Sequence, residues 1–562
     1  MLKKWMTRLL TIPLLTTLLA SSLPWLGGAT AHAATPVNPS ATQAVTDVLN
    51  YFDTVQANNQ IISGQYVRGQ NYNYLETDHL YNLTANTPTA GTPGKYPAMI
   101  GYDFYYKATN LADLSDWRTF IVDHATEYWK KGGLVTISWH ETNPKDTIPD
   151  DGGWTSVNSS LTQAEFDDLV TPGTALYNSW LSHIDTIAGY LKALRDQGVV
   201  VLWRPYHEMN IGFWWSGKPA DYKKLWQNMY DRFTNYHGLN NLIWVWAPGK
   251  DPYNSVTSSY FPGAAYVDLG GADIYVQSRT DGKFAGASSE LTSVLGSKRY
   301  GLSEVGLLPA ESLIPNWDYT WFLTWAIGWA DNDFYGYPSA NGPGNMPSEI
   351  RNFYNNPFTI TRSQVPAFGR TIVPETIIFK DAMNGYSAAG VSPSNWTTVT
   401  TGGTVTVENE PTVGLAGKDR SMKINKTSTT NAATAERSFT PQTGIVTFKA
   451  SLRTQDTNWK DFIVYDSANV AALHVGLQGN YLKVYDGSSL ISVAPITTAK
   501  WYDIKVVMNT TTKKFDLYVN GVKKANQFNF KNAAATDVAR LKVGVAADQT
   551  GTYYMDNVFI MK

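Results

Sequence analysis

Between residues 61 and 329 the chain carries eight short apolar runs, and helical periodicity fills several of the intervals. The runs are 61–65, 98–104, 134–140, 199–202, 241–248, one within 265–275, 299–306 and 321–329. Four or more consecutive apolar residues, as in Val199 to Leu202, are the mark of a strand buried on both faces. The intervals 44–55 and 113–131 repeat apolar residues every three or four positions, and so do Trp180, Ile184, Ile187, Leu191 and Leu194. Gly132-Gly133 and Gly198 supply helix stops. Strand and helix in alternation predict a (β/α)8 barrel over about residues 40–370. An open doubly wound sheet is the alternative, but no glycine-rich dinucleotide fingerprint follows the first run. The 321–329 run also suits a helix, and 141–174 reads as a long loop rich in Asp, Gly, Ser and Pro.

In such a barrel, chemistry sits at the C-terminal ends of the strands. The fourth run ends in Arg204, His207, Glu208 and Asn210, then Trp214-Trp215. An acid there can protonate a glycosidic oxygen, and indoles can stack on pyranose rings. His140 closes the third run, Asp273 and Tyr275 the sixth and Glu304 the seventh, while Trp325 lies in the eighth. Two carboxylic acids facing each other across a barrel mouth suit glycoside hydrolysis. One must stay protonated, and the other must be ionised. Neither His140 nor His207 has a second histidine four residues on, so the zinc-protease motif is absent. Trp244 and Trp246 alternate with valine and read as core, whereas at least one of Trp214 and Trp215 is expected to reach the cleft.

WRPYHEMN resembles the acid/base motif of glycoside hydrolase family 26, and LSEVG resembles that family's nucleophile strand. The resemblance covers about residues 40–370. It implies a retaining, metal-independent hydrolase with a (β/α)8 fold, in a family composed mostly of endo-β-1,4-mannanases. By it, Glu208 is the general acid/base and Glu304 the nucleophile. His207 binds the sugar at the cleavage site, and His140 and Asp273 match further subsite residues. Tyr275 hydrogen-bonds the nucleophile, Trp325 is the sugar platform, and Arg204 orients and ionises Glu304. Two departures bear on substrate. Ala326 stands where many family mannanases have an arginine, and the segment after Asn210 lacks a tryptophan common there. A β-1,3-xylanase or mixed-linkage glucanase on the same machinery stays open, as does an inactive sugar-binding protein.

Lys3, Lys4 and Arg8 precede an apolar run ending in Ala31-His32-Ala33, which reads as a secretory signal over residues 1–33. A secreted, extracellular protein is therefore expected. With no cysteine, it must be stabilised by its cores alone. A net charge of −2 favours neither nucleic acid nor anionic membrane. No cofactor or metal is called for, and a monomer acting on a mannan-type polysaccharide is expected. Beyond residue 375 the pattern changes to period two, with Asp486-Gly487 and Asn520-Gly521 as turns. That predicts an accessory β-sandwich of jelly-roll type over 375–562. It resembles concanavalin-like modules and is a candidate carbohydrate-binding unit. Asp381 and Asp556 suggest a shared calcium site, with solvated turn acids as the plainer reading.

Overall fold

The computed structural model describes residues 35–67, 94–105, 113–146, 153–249, 257–325, 345, 347–383, 386, 388–409 and 420–562. The first part is a barrel of eight parallel strands. They are β1 (Gly64–Tyr66), β2 (Met99–Asp103), β3 (Leu134–Trp139), β4 (Val201–Pro205), β5 (Leu242–Trp246), β6 (Leu269–Ile274), β7 (Tyr300–Val305) and β8 (Tyr319–Trp325). Each strand pairs with the next. The partners Gln65 with Thr324 and Tyr66 with Trp325 close β8 onto β1. Every residue of β1 to β7 is buried, which is why the strands read as unbroken apolar runs. Because all pairings are parallel, all eight C-terminal ends open on one side.

Helices pack around the strands where the apolar stripes placed them: Gln43–Ala57, Leu114–Lys130, Ala175–Asp196, Pro219–Asp231 and Lys283–Leu295. Asp113 caps the second through the amide of Asp116 at 2.9 Å, and Gly132 ends it at a φ of 97°. The interval expected to be one long loop is different. It holds the short helices Gly153–Val157 and Gln163–Leu169, the second opened by a Thr162/Glu165 capping box. Helices of five and seven residues are too short to show an apolar stripe, so the sequence hid them. The eighth run is a strand to Trp325, and its expected continuation to Trp329 lies outside the described residues. No described helix is long and apolar enough to cross a membrane.

From Ile377 onward the chain forms two antiparallel sheets, one of eight strands and one of seven. The first sheet turns Phe448, Val506 and Phe515 inward, the second Val464, Val475 and Val543, and the six share one core. Asn520 and Gly521 take φ values of 51° and 80°, as a two-residue hairpin turn requires. Asp381 and Asp556 are buried, 7% and 2% exposed, so neither is a solvated turn acid. The Asp381 carboxylate already accepts from the Met383 amide, Tyr386, Asn395 and Trp396 at 2.8–3.1 Å. Asp556 is turned to its own neighbour, Asn557, at 2.7 Å.

The segment joining barrel to sheets is anchored on the barrel. Arg370 lies over the Trp129 ring at 3.6 Å and donates to Gly133, and the Val373 amide donates to Lys130. Glu375 accepts from Lys131 and Arg362, each at 2.7 Å, and Lys505 of the first sheet pairs with Glu127. Burial alone would raise the Glu375 carboxyl, but Lys131 and Arg362 outweigh it and bring it down to about 2. A depressed carboxylate stabilises fully above its unfolded value and loses that contribution as pH falls toward its folded one. Glu375→Gln is therefore expected to cost about 3 kcal/mol at pH 7. That deficit should shrink below about pH 4.5, which denaturant melts of both chains across pH will show. A barrel cut near Ala367 loses these anchors, whereas one ending after Thr376 keeps those made by 370–375.

Candidate active site

All eight strand ends contribute to the open side. Arg204, near the end of β4, is 1% exposed and central. Its guanidinium donates to Asp273 on β6 at 2.7 Å, to Tyr66 on β1 at 2.6 Å, and to Glu304 on β7. Asp273 also accepts from Ser303 at 2.6 Å. The second oxygen of Glu304 accepts from Tyr275 at 2.7 Å and from the Trp325 indole at 3.0 Å. Both oxygens of Glu304 thus meet donors only, a setting that suits a carboxylate. Tyr66 stacks on Trp325 with centroids 4.4 Å apart, a contact made possible by the pairing that closes the barrel. Gly101 makes room for the Tyr66 ring: a Cβ there would stand 2.8 Å from it.

Glu208 is set differently. It follows β4 in a left-handed conformation, φ 53°, and Tyr206 just before it has φ 44°. Such conformations cost non-glycine residues about 1–2 kcal/mol each. Hydrogen bonds hold the turn: Glu208 amide to Ala247 at 2.8 Å, Trp215 indole to the His207 carbonyl at 2.9 Å, and Tyr222 hydroxyl to the Tyr206 carbonyl at 3.1 Å. Asn210 exchanges two bonds with Gly249, fixing this turn to the end of β5. Among the described residues the Glu208 carboxyl makes no hydrogen bond or ion pair. Burial, then the charges of Asp273 and Glu304, push it well above the ordinary glutamate value. Two of the three acids here pair with the one guanidinium, and Glu208 is the acid without a donor. It is the one to keep its proton.

A second chain of contacts runs from β2. Asp103 accepts from His140 Nδ1 at 2.7 Å and from Ser138 at 2.8 Å. His140 Nε2 lies 3.0 Å from His207 Nε2, which is itself 3.6 Å from Glu304. Burial, then Arg204 and His140, hold His207 far below the usual imidazole value, so it is neutral. Burial also pushes Asp273 upward, and the Arg204 guanidinium 2.7 Å away pulls it back toward the carboxylate. Replacing Asp273 with Asn removes a negative neighbour of Glu208. The alkaline limb of kcat/KM in Asp273→Asn should move toward acid, and a limb that stays or moves up would remove Glu208 as the titrating acid.

Ligand atoms of Asp103, His140 and His207, and of His207, Asp273 and Glu304, approach within 4.8 Å of one another. Neither set suits a cation. The first is joined by its own hydrogen bonds, and the Arg204 guanidinium occupies two members of the second.

The ten sequence candidates converge here, but three sit differently from expectation. Trp214 and Trp215 are 1% and 0% exposed and donate to Glu141 and His207 carbonyls, so they support the site from behind and offer no ring to a sugar. Arg204 is enclosed against Glu304, as expected of it, while Asp273 is enclosed too and pairs with Arg204 where a subsite contact was expected. His140, His207, Glu208, Glu304, Tyr275 and Trp325 line the open side, with Tyr275 and Trp325 partly exposed. Trp244 and Trp246 are core, as read. Tyr66, Asp103 and Trp154 also belong to the site, beyond the ten expected from sequence. Tyr66 and Asp103 end β1 and β2, so the strand-end rule applied to the later strands would have found them. Trp154, 37% exposed, lies 5.2 Å from the His140 ring on the first short helix of the long interval.

The sequence model of glycosyl hydrolase family 26 matches residues 37–364. The chain belongs to glycosyl hydrolase family 26. The match ends before the two antiparallel sheets, which lie outside it. A mannan endo-1,4-beta-mannosidase of Bacillus subtilis is 29% identical over 306 residues, 52% of this chain and 79% of that protein. One from Bacillus subtilis strain 168 is 30% identical over 330 residues, 56% and 84% respectively. The solved structure of GH26A from a Muricauda species is 32% identical, covers 58% of this chain and 99% of its own, and has a TM-score of 0.49. As a family 26 chain it is a glycoside hydrolase, and the two glutamates that carried the resemblance stand at the same end of its barrel.

Proposed function

We propose that this hydrolase cleaves internal β-1,4-mannosidic bonds by retaining double displacement. Glu304 attacks the anomeric carbon, while Glu208 protonates the departing oxygen and then deprotonates the incoming water. One observation carries the roles: Glu304 is held by three donors, whereas burial and two negative neighbours keep the proton on Glu208. The relatives' activity on mannan supports the substrate. His207, neutral beside the acid, can meet the reoriented 2-hydroxyl of a distorted mannose. We further propose that residues 1–33 direct export and are removed, and that residues 375–562 are an accessory module.

Without an arginine after Trp325, grip on the neighbouring sugar is weaker, and remote subsites must supply binding energy. We expect kcat/KM to rise steeply from mannotriose to mannohexaose. Mannohexaose left intact while β-1,3-xylo-oligosaccharides or lichenan fragments are cut would replace mannan by the β-1,3-xylanase or mixed-linkage reading.

A further inference from the structure

The first sheet of the C-terminal region lies against the barrel: Lys505 pairs with Glu127, and a Cβ on Gly521 would meet the Phe120 ring at 2.3 Å. The second sheet is on the other side of the shared core. Across its outward side runs one row of cross-strand partners: Gly544, Asp461, Gly476, Lys483 and Ser492. Gly476 has no side chain because Trp459 lies over it. A Cβ at 476 would be 2.2 Å from the indole's six-membered ring. Trp459 remains partly exposed, and its Nε1 donates to Asp461. Asp461 also accepts from His474 at 2.7 Å, and Lys531 donates to the other nitrogen of His474 at 2.8 Å. His474 stacks on Tyr485 with centroids 5.2 Å apart and planes at 25°.

None of this serves the core, which Phe462, Val464, Leu473 and Val475 form from the opposite side of the same strands. Here a row of the sheet gives up a side chain so that an indole lies against it, locked by a carboxylate. Partly exposed rings bordered by a carboxylate and two ammonium groups are what a pyranose needs: an apolar floor for its C–H face and partners for its rim hydroxyls. Asp461 offsets one of the two lysines, Lys483 and Lys531, so the surface has no strong field for a polyanion.

We propose that Trp459, His474 and Tyr485 form a glycan-binding platform that takes an uncharged β-linked polysaccharide chain. The choice of polysaccharide rests on the proposed function, while the platform itself does not.

The test uses the full chain carrying Glu304→Ala, so that no polysaccharide is cut, in native gels containing galactomannan, glucomannan, polygalacturonate or nothing. Trp459→Ala added to it should weaken retardation by a neutral glycan on the order of tenfold. In the chain with Glu304 intact, Trp459→Ala should leave kcat/KM on mannotetraose unchanged. Trp459→Phe should retain part of the binding. Hydrogen exchange gives a reading without substitution at the platform: glucomannan fragments should protect amides of 457–485. Unaltered retardation with unaltered melting overturns the platform, as does absent protection. Retardation by polygalacturonate alone overturns the uncharged class. Loss of mannan cleavage with platform binding intact would instead count against the proposed function.

Discussion

Replacing Glu304 with Ala is expected to lower kcat on a mannan oligosaccharide by on the order of 10⁴-fold or more. The side chain is the carboxylate that Arg204, Tyr275 and Trp325 together hold in place. Removing it leaves that donor set around a void on the face from which attack comes. Azide is small enough to enter the void and attack in its stead. With an activated mannosyl substrate, Glu304→Ala should regain turnover in azide and release an azide of inverted configuration. Glu208→Ala behaves differently, because its nucleophile is intact. It should fail most on substrates with poor leaving groups, and azide should intercept its glycosyl-enzyme to give a product of retained configuration. Swapped stereochemistries, measured by proton NMR of the azides, would exchange the roles.

Arg204→Met should be the most destabilising single change near the site, by about 3–5 kcal/mol. The side chain is enclosed, and its loss leaves Asp273 and Glu304 facing each other without a cation. Arg204→Lys should recover only part, since a point charge cannot reach Asp273, Tyr66 and Glu304 with a planar fork. Adding Asp273→Asn to Arg204→Met should restore stability but not activity, because one unpaired charge is gone while Glu304 still lacks its holder. Denaturant midpoints and kcat of the four chains decide this. A stable Arg204→Met chain would mean that the buried cluster is not the ion-pair network described.

How much of this was legible in sequence depended on what each side chain touches. The strands showed because barrel strands are apolar on both faces, and their polar ends stood out by contrast. That contrast pointed to Glu208, Glu304, His140, His207, Tyr275 and Trp325 together. Trp214 and Trp215 misled because nearness in sequence to Glu208 does not set a ring's direction; their Nε1 atoms turn back to the Glu141 and His207 carbonyls. Arg204 was expected to hold Glu304, but only the three-dimensional pairing shows that Asp273 serves it too, through Arg204. Tyr66 and Asp103 went unnoticed because β1 is three residues long and β2 five, each offering only one polar end. The platform at Trp459 was invisible because it depends on Gly476 lying beside it across two strands.

Covalent attachment of the sugar to Glu304 is the step to detect. A 2-deoxy-2-fluoro-β-mannosyl fluoride slows both steps of a retaining reaction, and its good leaving group lets the glycosyl-enzyme accumulate. Peptide mass mapping of the inactivated enzyme should then find one fluoromannosyl group on the peptide containing Glu304. A label on the peptide containing Glu208, or turnover of the fluoride with no label and an inverted product, would contradict it.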